Sequence, residues 1–181
     1  MSKWHDLSGE KIDQLLITTD KEGKPIGQAT RKVCHEGKGR THLAFLAFLL
    51  DEDNNIYLQK RSLQKSLWDG YWDASVVSHV LPGESVEQAA KRRGKEELGV
   101  DVTFKNLGGF YYFAKYNGNC ENEYCHLLIG KTTAPISHNP VEIEQVRKIK
   151  LTELKKELNT KNTHFTPWLR LALEKFSDQI R

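Results

Sequence analysis

The segment from Ser85 to Leu98 restricts the fold more than any other part of the chain. Ser85 and Gln88 stand at capping-box spacing, and Val86, Ala89, Ala90, Gly94 and Leu98 fall on one helical stripe. Gly99 supplies the stop. Small residues dominate the stripe, so this helix must lie close against a sheet or loop instead of covering it from a distance. Extended segments stand on both sides of it. Leu15 to Thr19, a turn at Asp20-Lys21-Glu22-Gly23 and a second piece through Ile26 come first, with Gly23 able to supply the positive φ of a tight turn. His42 to Leu50 is a nearly unbroken apolar run, Asp51 to Asn55 is turn chemistry, and Ile56 to Lys60 alternates, which predicts a hairpin. Beyond the helix, Thr103 to Lys115 and Tyr124 to Thr133 have strand character around a polar loop containing Gly118 and Asn119. Lys150 to Leu158 and Thr166 to Gln179 are expected helices, the second with Thr166 as its cap and Pro167 at its first position. Strands before and after one central helix, with helices at the end, predict a mixed α/β (α+β) layered domain.

The chain has 181 residues, no internal repeat, no low-complexity tract and no Pro/Gly-rich linker, so residues 1–181 are expected to form a single domain. Residues 1–14 are a candidate N-terminal extension, either mobile or docked on the body. The longest apolar run, Leu43 to Leu50, has eight residues and stops at Asp51-Glu52-Asp53, well short of the ~18 that a membrane span needs. Met1 to Asp13 carries Lys3, Asp6, Glu10 and Lys11 without an apolar stretch, unlike a secretory signal. Cys34, Cys120 and Cys125 are odd in number and lack Cys-x-x-Cys spacing, which fits buried thiols in a reducing cytoplasm. With 27 basic and 24 acidic residues the net charge is +3, too balanced for a dedicated nucleic-acid binder, although a locally basic pocket stays open.

Arg92, Arg93, Lys95, Glu96 and Glu97 crowd into six residues of the predicted helix. Taken alone they describe a solvated face in which Arg92 and Glu96 form a pair worth ~0.3–0.5 kcal/mol. Glu84, Arg92, Glu96, Glu97, Gly99 and Val100 also stand at the intervals of G-x5-E-x7-R-E-U-x-E-E-x-G-U, where U is a bulky aliphatic residue. The segment thereby resembles the Nudix box. That resemblance implies the Nudix fold, a mixed β-sheet layer between helices, and helix glutamates that hold divalent cations bridging a diphosphate. Ser78, Arg93 and Gly94 depart from the box, where a Gly, a Glu and an aliphatic residue would stand. The carboxylate missing at position 93 bears on the usual hydrolytic metal site.

A wider set of residues runs from Pro25 to Leu173. It comprises His35 and His42 seven apart, Thr41-His42-Leu43-Ala44-Phe45, Trp68-x-Gly70-x-Trp72, Ser78-His79 followed by Gly83-Glu84-Ser85, Arg92-Arg93, Glu97-Leu98-Gly99-Val100 and Glu121-Asn122-Glu123. This set is similar to type I isopentenyl-diphosphate isomerases, a Nudix-fold group. By that resemblance His35, His42, His79, Glu121 and Glu123 form a metal site, with a donor set that suits Mn2+, Zn2+ or Mg2+. Glu123 is also implied as the carboxylate that moves a proton, and Tyr111 as the phenol that assists it. Trp168 is implied as the indole facing a carbocation, a contact worth ~1–2 kcal/mol when dry, with an ordinary core anchor as the competing reading. Arg31, Arg61, Lys65 and Arg93 match positions that grip the diphosphate, and Glu97 matches the ligand of a second ion, Mg2+, carried with it. His5, His126, His138 and His164 match nothing and are read as structural.

Val77 is the main departure from the isomerases. Their catalytic cysteine lies two residues before the metal-binding histidine, and Ala74-Ser75-Val76-Val77-Ser78-His79 puts an isopropyl group there. Valine moves no proton, Cys34 and Cys125 are not placed to replace the thiol, and Ser75 and Ser78 are poor acids expected to point elsewhere. A missing general acid or base costs ~10²–10⁴-fold. Glu96 beside Glu97, with Glu84, restores the carboxylates that Nudix hydrolases use. The favoured expectation is therefore a metal-dependent hydrolase of a nucleoside or isoprenoid diphosphate, with Glu96, Glu97, Glu123 and Tyr111 as catalytic candidates. Isomerisation of isopentenyl to dimethylallyl diphosphate by a non-Cys acid is the alternative, and an inactive diphosphate-binding module the second. The expected partner is a small-molecule diphosphate; Trp72, Tyr111 and Trp168 suit an isoprenoid or a base equally, and the oligomeric state is open.

Overall fold

The computed structural model describes residues 10–160 and 164–180. In chain order its elements are β1 (Leu15–Thr19), β2 (Pro25–Thr30), α1 (Arg31–His35), β3 (His42–Leu50), β4 (Ile56–Arg61), β5 (Trp72–Asp73), β6 (Val76–His79), α2 (Val86–Leu98), β7 (Lys105–Tyr116), β8 (Asn119–Lys131), β9 (Ile143–Ile149), α3 (Leu151–Leu158) and α4 (Pro167–Phe176), followed by a 3-10 turn (Ser177–Gln179). All nine residues of β3 are buried. Ala44, Leu46, Phe48 and Leu50 pack with Trp168, Leu169 and Leu173 of α4, whereas Leu43, Phe45, Ala47 and Leu49 pack with Ala89, Ala90 and Leu98 of α2. The apolar run is unbroken because strand alternation divides it between two cores, one on each face of the sheet.

β3 pairs in parallel with β8, from His42↔Glu123 to Leu50↔Lys131, and antiparallel with β6, from Ala44↔His79 to Ala47↔Val76. The expected hairpin is present only at its turn, where Asp51 N donates to Asn55 O at 3.0 Å. β3 and β4 meet only at Leu50↔Ile56, and β4 then takes β9 and β5 as partners. β8 takes one edge of β3 along its whole length and β6 takes the other from Ala44 to Ala47, which leaves β4 only Leu50. The polar loop expected before Tyr124 is also corrected: β7 and β8 join through Asn117-Gly118, both at positive φ, as a two-residue hairpin turn requires. Glu121 and Glu123 consequently lie within β8, on the same face of the strand.

α2 has the predicted ends. Ser85 Oγ accepts from Gln88 N (3.2 Å) while Gln88 Oε1 accepts from Ser85 N (2.8 Å), and Gly99 closes the helix at φ 70°. Its small-residue face does allow a close approach, since a Cβ on Gly94 would lie 3.3 Å from the Phe104 ring. α4 begins at Pro167 as expected, but Thr166 does not cap it with its side chain. The hydroxyl donates instead to Asp73 Oδ1 at 2.9 Å, because a buried carboxylate is the stronger acceptor. α1 is too short for a periodic signal and was not expected; Thr30 Oγ1 caps it by accepting from Val33 N. Residues 12–14 dock on α1, with Lys32 N donating to Ile12 O (3.1 Å) and Arg31 N to Gln14 O (2.8 Å). The rest of the candidate extension, residues 1–9 with His5, lies outside the described residues. Cys34, Cys120 and Cys125 are free and buried, and no helix among the described residues is long and apolar enough to cross a membrane.

Replacing Ser85 by Ala removes one half of the capping box and should lower stability by ~1 kcal/mol in urea unfolding, with the m-value unchanged. A loss below the error of the measurement would show that the cap adds nothing to α2.

Candidate active site

Five side chains converge at one end of the central strands. His35 closes α1, His42 opens β3, His79 ends β6, and Glu121 and Glu123 stand on β8. The β3–β8 register puts His42 beside Glu123, and the imidazole centroids are 4.7, 4.9 and 5.1 Å apart. One ligand atom from each residue lies within 4.8 Å of the others, and all five residues are buried. Among the described residues this is the one such group of three or more. His35 Nε2 lies 3.1 Å from Glu121 Oε2, while His42 Nε2 and His79 Nε2 lie 3.4 and 3.2 Å from Glu123 Oε1.

Second partners orient the rings. His35 Nδ1 donates to Arg31 O and His42 Nδ1 to Arg40 O, both at 2.8 Å, so each directs an Nε2 lone pair into the cluster. His79 Nδ1 instead accepts from Arg31 Nη2 at 3.0 Å. Ligation through His79 Nε2 requires the proton on Nδ1, where Arg31 then loses its acceptor. Burial, reinforced by Arg31, lowers His35 to about 4 and His79 well below its ordinary value, so both are neutral at pH 7. Burial and then the neighbouring Glu123 push Glu121 well up. Burial also opposes the charge on Glu123, but contacts from His42 and His79 outweigh it and hold this carboxyl well down. Between the two glutamates, burial therefore favours the proton on Glu121. His42 Nε2, His79 Nε2 and Glu121 Oε2 are buried without a well-formed hydrogen bond. Leaving such atoms unpaired is costly, and a divalent cation between three imidazoles and two carboxylates would satisfy them together.

The cluster forms part of the lining of a pocket that also presents Arg31, Arg61, Lys65, Leu67, Val77, Ser78, Tyr112, Trp168 and Glu10. Tyr112, not Tyr111, meets the glutamate: its hydroxyl donates to Glu123 Oε2 at 2.5 Å. Tyr111 points to the other face, where Lys21 Nζ sits 4.9 Å from its ring centre. The Asn117-Gly118 turn carries the signal for this, because a two-residue turn there sets Tyr112 directly opposite Glu123. Ser75 does face away, bridging Tyr57 O and Leu49 N, but Ser78 lines the pocket, contrary to the strict alternation expected. Val77 lines it as well, and neither Cys34 nor Cys125 does among the described residues.

Arg61 is held by Leu67 O and Trp68 O and lies 3.5 Å from Asp73. Leu67 and the Trp68-x-Gly70-x-Trp72 segment after it supply that backbone cradle, with Trp68 and Gly70 both at positive φ. Asp73, which sequence reasoning missed, also accepts from Trp168 Nε1 at 2.9 Å, so Trp168 is both a core anchor and a pocket wall. Arg93 lies outside this pocket. Its guanidinium contacts Glu96 (2.7 Å), Glu97 (2.7 Å) and Glu142 (3.0 Å). Glu84 is bound in bidentate fashion by Arg92, at 2.5 and 2.9 Å. His126 contacts Asn106 and His164 meets the edge of Tyr71, apart from the cluster.

The NUDIX domain family model matches residues 40–169, and the chain belongs to this family. Nudix proteins are enzymes that act on diphosphates with divalent cations. An isopentenyl-diphosphate Delta-isomerase of Brevibacterium linens is 31% identical over 159 residues, covering 86% of this chain and 87% of its own. Isopentenyl-diphosphate Delta-isomerase 2 of Photorhabdus laumondii is 34% identical over 169 residues, covering 93% and 95%. In structure, DR0079 from Deinococcus radiodurans superposes with TM-score 0.72 at 20% identity, covering 89% of this chain and 98% of its own, and a MutT protein from Methanosarcina mazei with 0.62 at 19%, covering 76% and 93%. At those identities the likeness is one of fold.

Zinc titrated into the protein should release protons, because burial favours the protonated form of Glu121, seen as a heat that differs between buffers of different ionisation enthalpy. Glu121→Gln should bind more weakly and release fewer. Equal heats across buffers would contradict the placement of a proton on Glu121.

Proposed function

We propose that the chain catalyses a proton-transfer isomerisation of a small isoprenoid diphosphate, isopentenyl to dimethylallyl diphosphate, at the His/Glu centre. The observation that carries this reading is the Tyr112–Glu123 contact, a proton-handling pair beside the five-residue cluster in a pocket lined by three cations. The short apolar lining of Leu67, Val77 and Trp168 suits a small hydrocarbon, and the names of the relatives support the substrate class.

Arg31, Arg61 and Lys65 grip the diphosphate as charged donors. Glu123, protonated from solvent and held by the Tyr112 hydroxyl, gives a proton to the terminal alkene carbon, and the tertiary cation so formed faces the Trp168 ring. Loss of a proton from the carbon on the diphosphate side, back to the same pair, yields the dimethylallyl isomer and restores the enzyme. His35, His42, His79, Glu121 and Glu123 would hold Mn2+ or Zn2+, which would supply positive charge beside the two glutamates. Glu97 is the proposed ligand of a Mg2+ arriving with the diphosphate, in competition with Arg93.

Val77 favours a second reading, hydrolysis, because it leaves one wall of the pocket without a group that moves protons. That reading would employ Glu96 and Glu97 on α2, both engaged by Arg93 here. Proton and phosphorus NMR of isopentenyl diphosphate with the Mg2+- and Mn2+-supplemented protein should show dimethylallyl diphosphate with the diphosphate intact. Phosphate release, from this substrate or from a nucleoside diphosphate, without isomerisation would establish the hydrolase instead. Tyr112→Phe should lower kcat by ~10²-fold with little change in KM, whereas Tyr111→Phe should not; the reverse pattern would refute the Tyr112 assignment. Val77→Cys should raise isomerisation at least about tenfold by restoring a second proton-transfer group.

A further inference from the structure

Glu10 sits where the pocket's cations gather. It is 6% exposed, its Oε2 accepts from Ser66 N at 3.2 Å and Ser66 Oγ at 3.1 Å, and its Oε1 lies 3.4 Å from Lys65 Nζ. Burial would raise this carboxyl, but Lys65, Arg31, Arg61 and the Ser66 N–H outweigh burial and bring it to about 2. A backbone N–H, a hydroxyl and an ammonium aimed at one anion are also the donors a phosphate oxygen takes. Lys65 has a second buried partner in Glu142, so it stays anchored when Glu10 leaves. The segment that carries Glu10 is fixed to α1 through Ile12 O and Gln14 O, and Glu10 ties it to the β4–β5 connection that holds Ser66.

We propose that Glu10 is an internal competitor for the diphosphate: its carboxylate fills a phosphate seat formed by Lys65 and Ser66, and substrate binds by displacing it and releasing the N-terminal segment from the pocket. This inference rests on the reading of Arg31, Arg61 and Lys65 as the diphosphate grip. Glu10 thereby sets affinity from within the chain. Each substrate that binds must replace the contacts Glu10 makes, so only an anion able to reach several of the cations at once does so.

The test is calorimetric binding of magnesium pyrophosphate to the full chain and to Glu10→Gln and Lys65→Met. Glu10→Gln should bind about tenfold tighter or more, the weight of one buried charge-assisted contact, and Lys65→Met about tenfold weaker. Weakening in Lys65→Met with no gain in Glu10→Gln would overturn this inference and leave the diphosphate grip standing. Unchanged affinity in Lys65→Met would overturn the grip and the inference with it. Hydrogen exchange on the unmodified chain provides a measurement free of any folding defect. Pyrophosphate should speed exchange at residues 10–14, and unchanged or slower exchange there would refute the displacement.

Discussion

The register of β3 against β8 is the constraint on which the site depends. It sets His42 beside Glu123, the β3–β6 ladder then carries His79 to the same end, and the β7–β8 hairpin brings Tyr112 over Glu123. No polar contact needs to select this register. A slip by one residue would turn Phe45 and Leu49 away from α2 and Leu46 and Phe48 away from α4. Apolar packing on two faces therefore fixes the positions of polar groups whose own burial is unfavourable. The cluster is a cost that the two cores carry, and a bound cation would offset part of it.

Arg93 changes the charge of the family's box. A permanent positive charge stands where a carboxylate would help to hold a cation, and it gathers Glu96, Glu97 and Glu142 around itself. Lys65 extends the same ion-pair chain from Glu142 to Glu10, at the pocket. Burial raises Glu97, and Arg93 works against that rise. Helix α2 thus contributes ion pairing and close packing, while the cluster of imidazoles and carboxylates lies on the strands and on α1.

Much of this was legible in the chain. The capping box, the small-residue face of α2 and its Gly99 stop are local features, and local features read directly from residues. The five clustered side chains were legible only through family resemblance, since they come from β3, β6, β8 and α1 and nothing local links them. Strand partnership was less legible. Asp51 to Asn55 has turn chemistry, but turn chemistry does not say that β6 and β8 will take both edges of β3. Tyr111 and Tyr112 differ only in which face of β7 they occupy, and the Asn117-Gly118 turn decides it. Asp73 and Glu10 act through contacts with residues far along the chain, Trp168 and Ser66, which no periodicity reveals.

The central claim is that the buried imidazoles and carboxylates form a metal centre. Cobalt(II) titration of the metal-free protein, followed in the visible spectrum, tests it most directly. The account predicts one tightly held ion per chain, with the weak bands of a five- or six-coordinate nitrogen and oxygen site, lost in His42→Ala. No binding, or the intense charge-transfer bands of thiolate ligation by Cys34, Cys120 or Cys125, would contradict it.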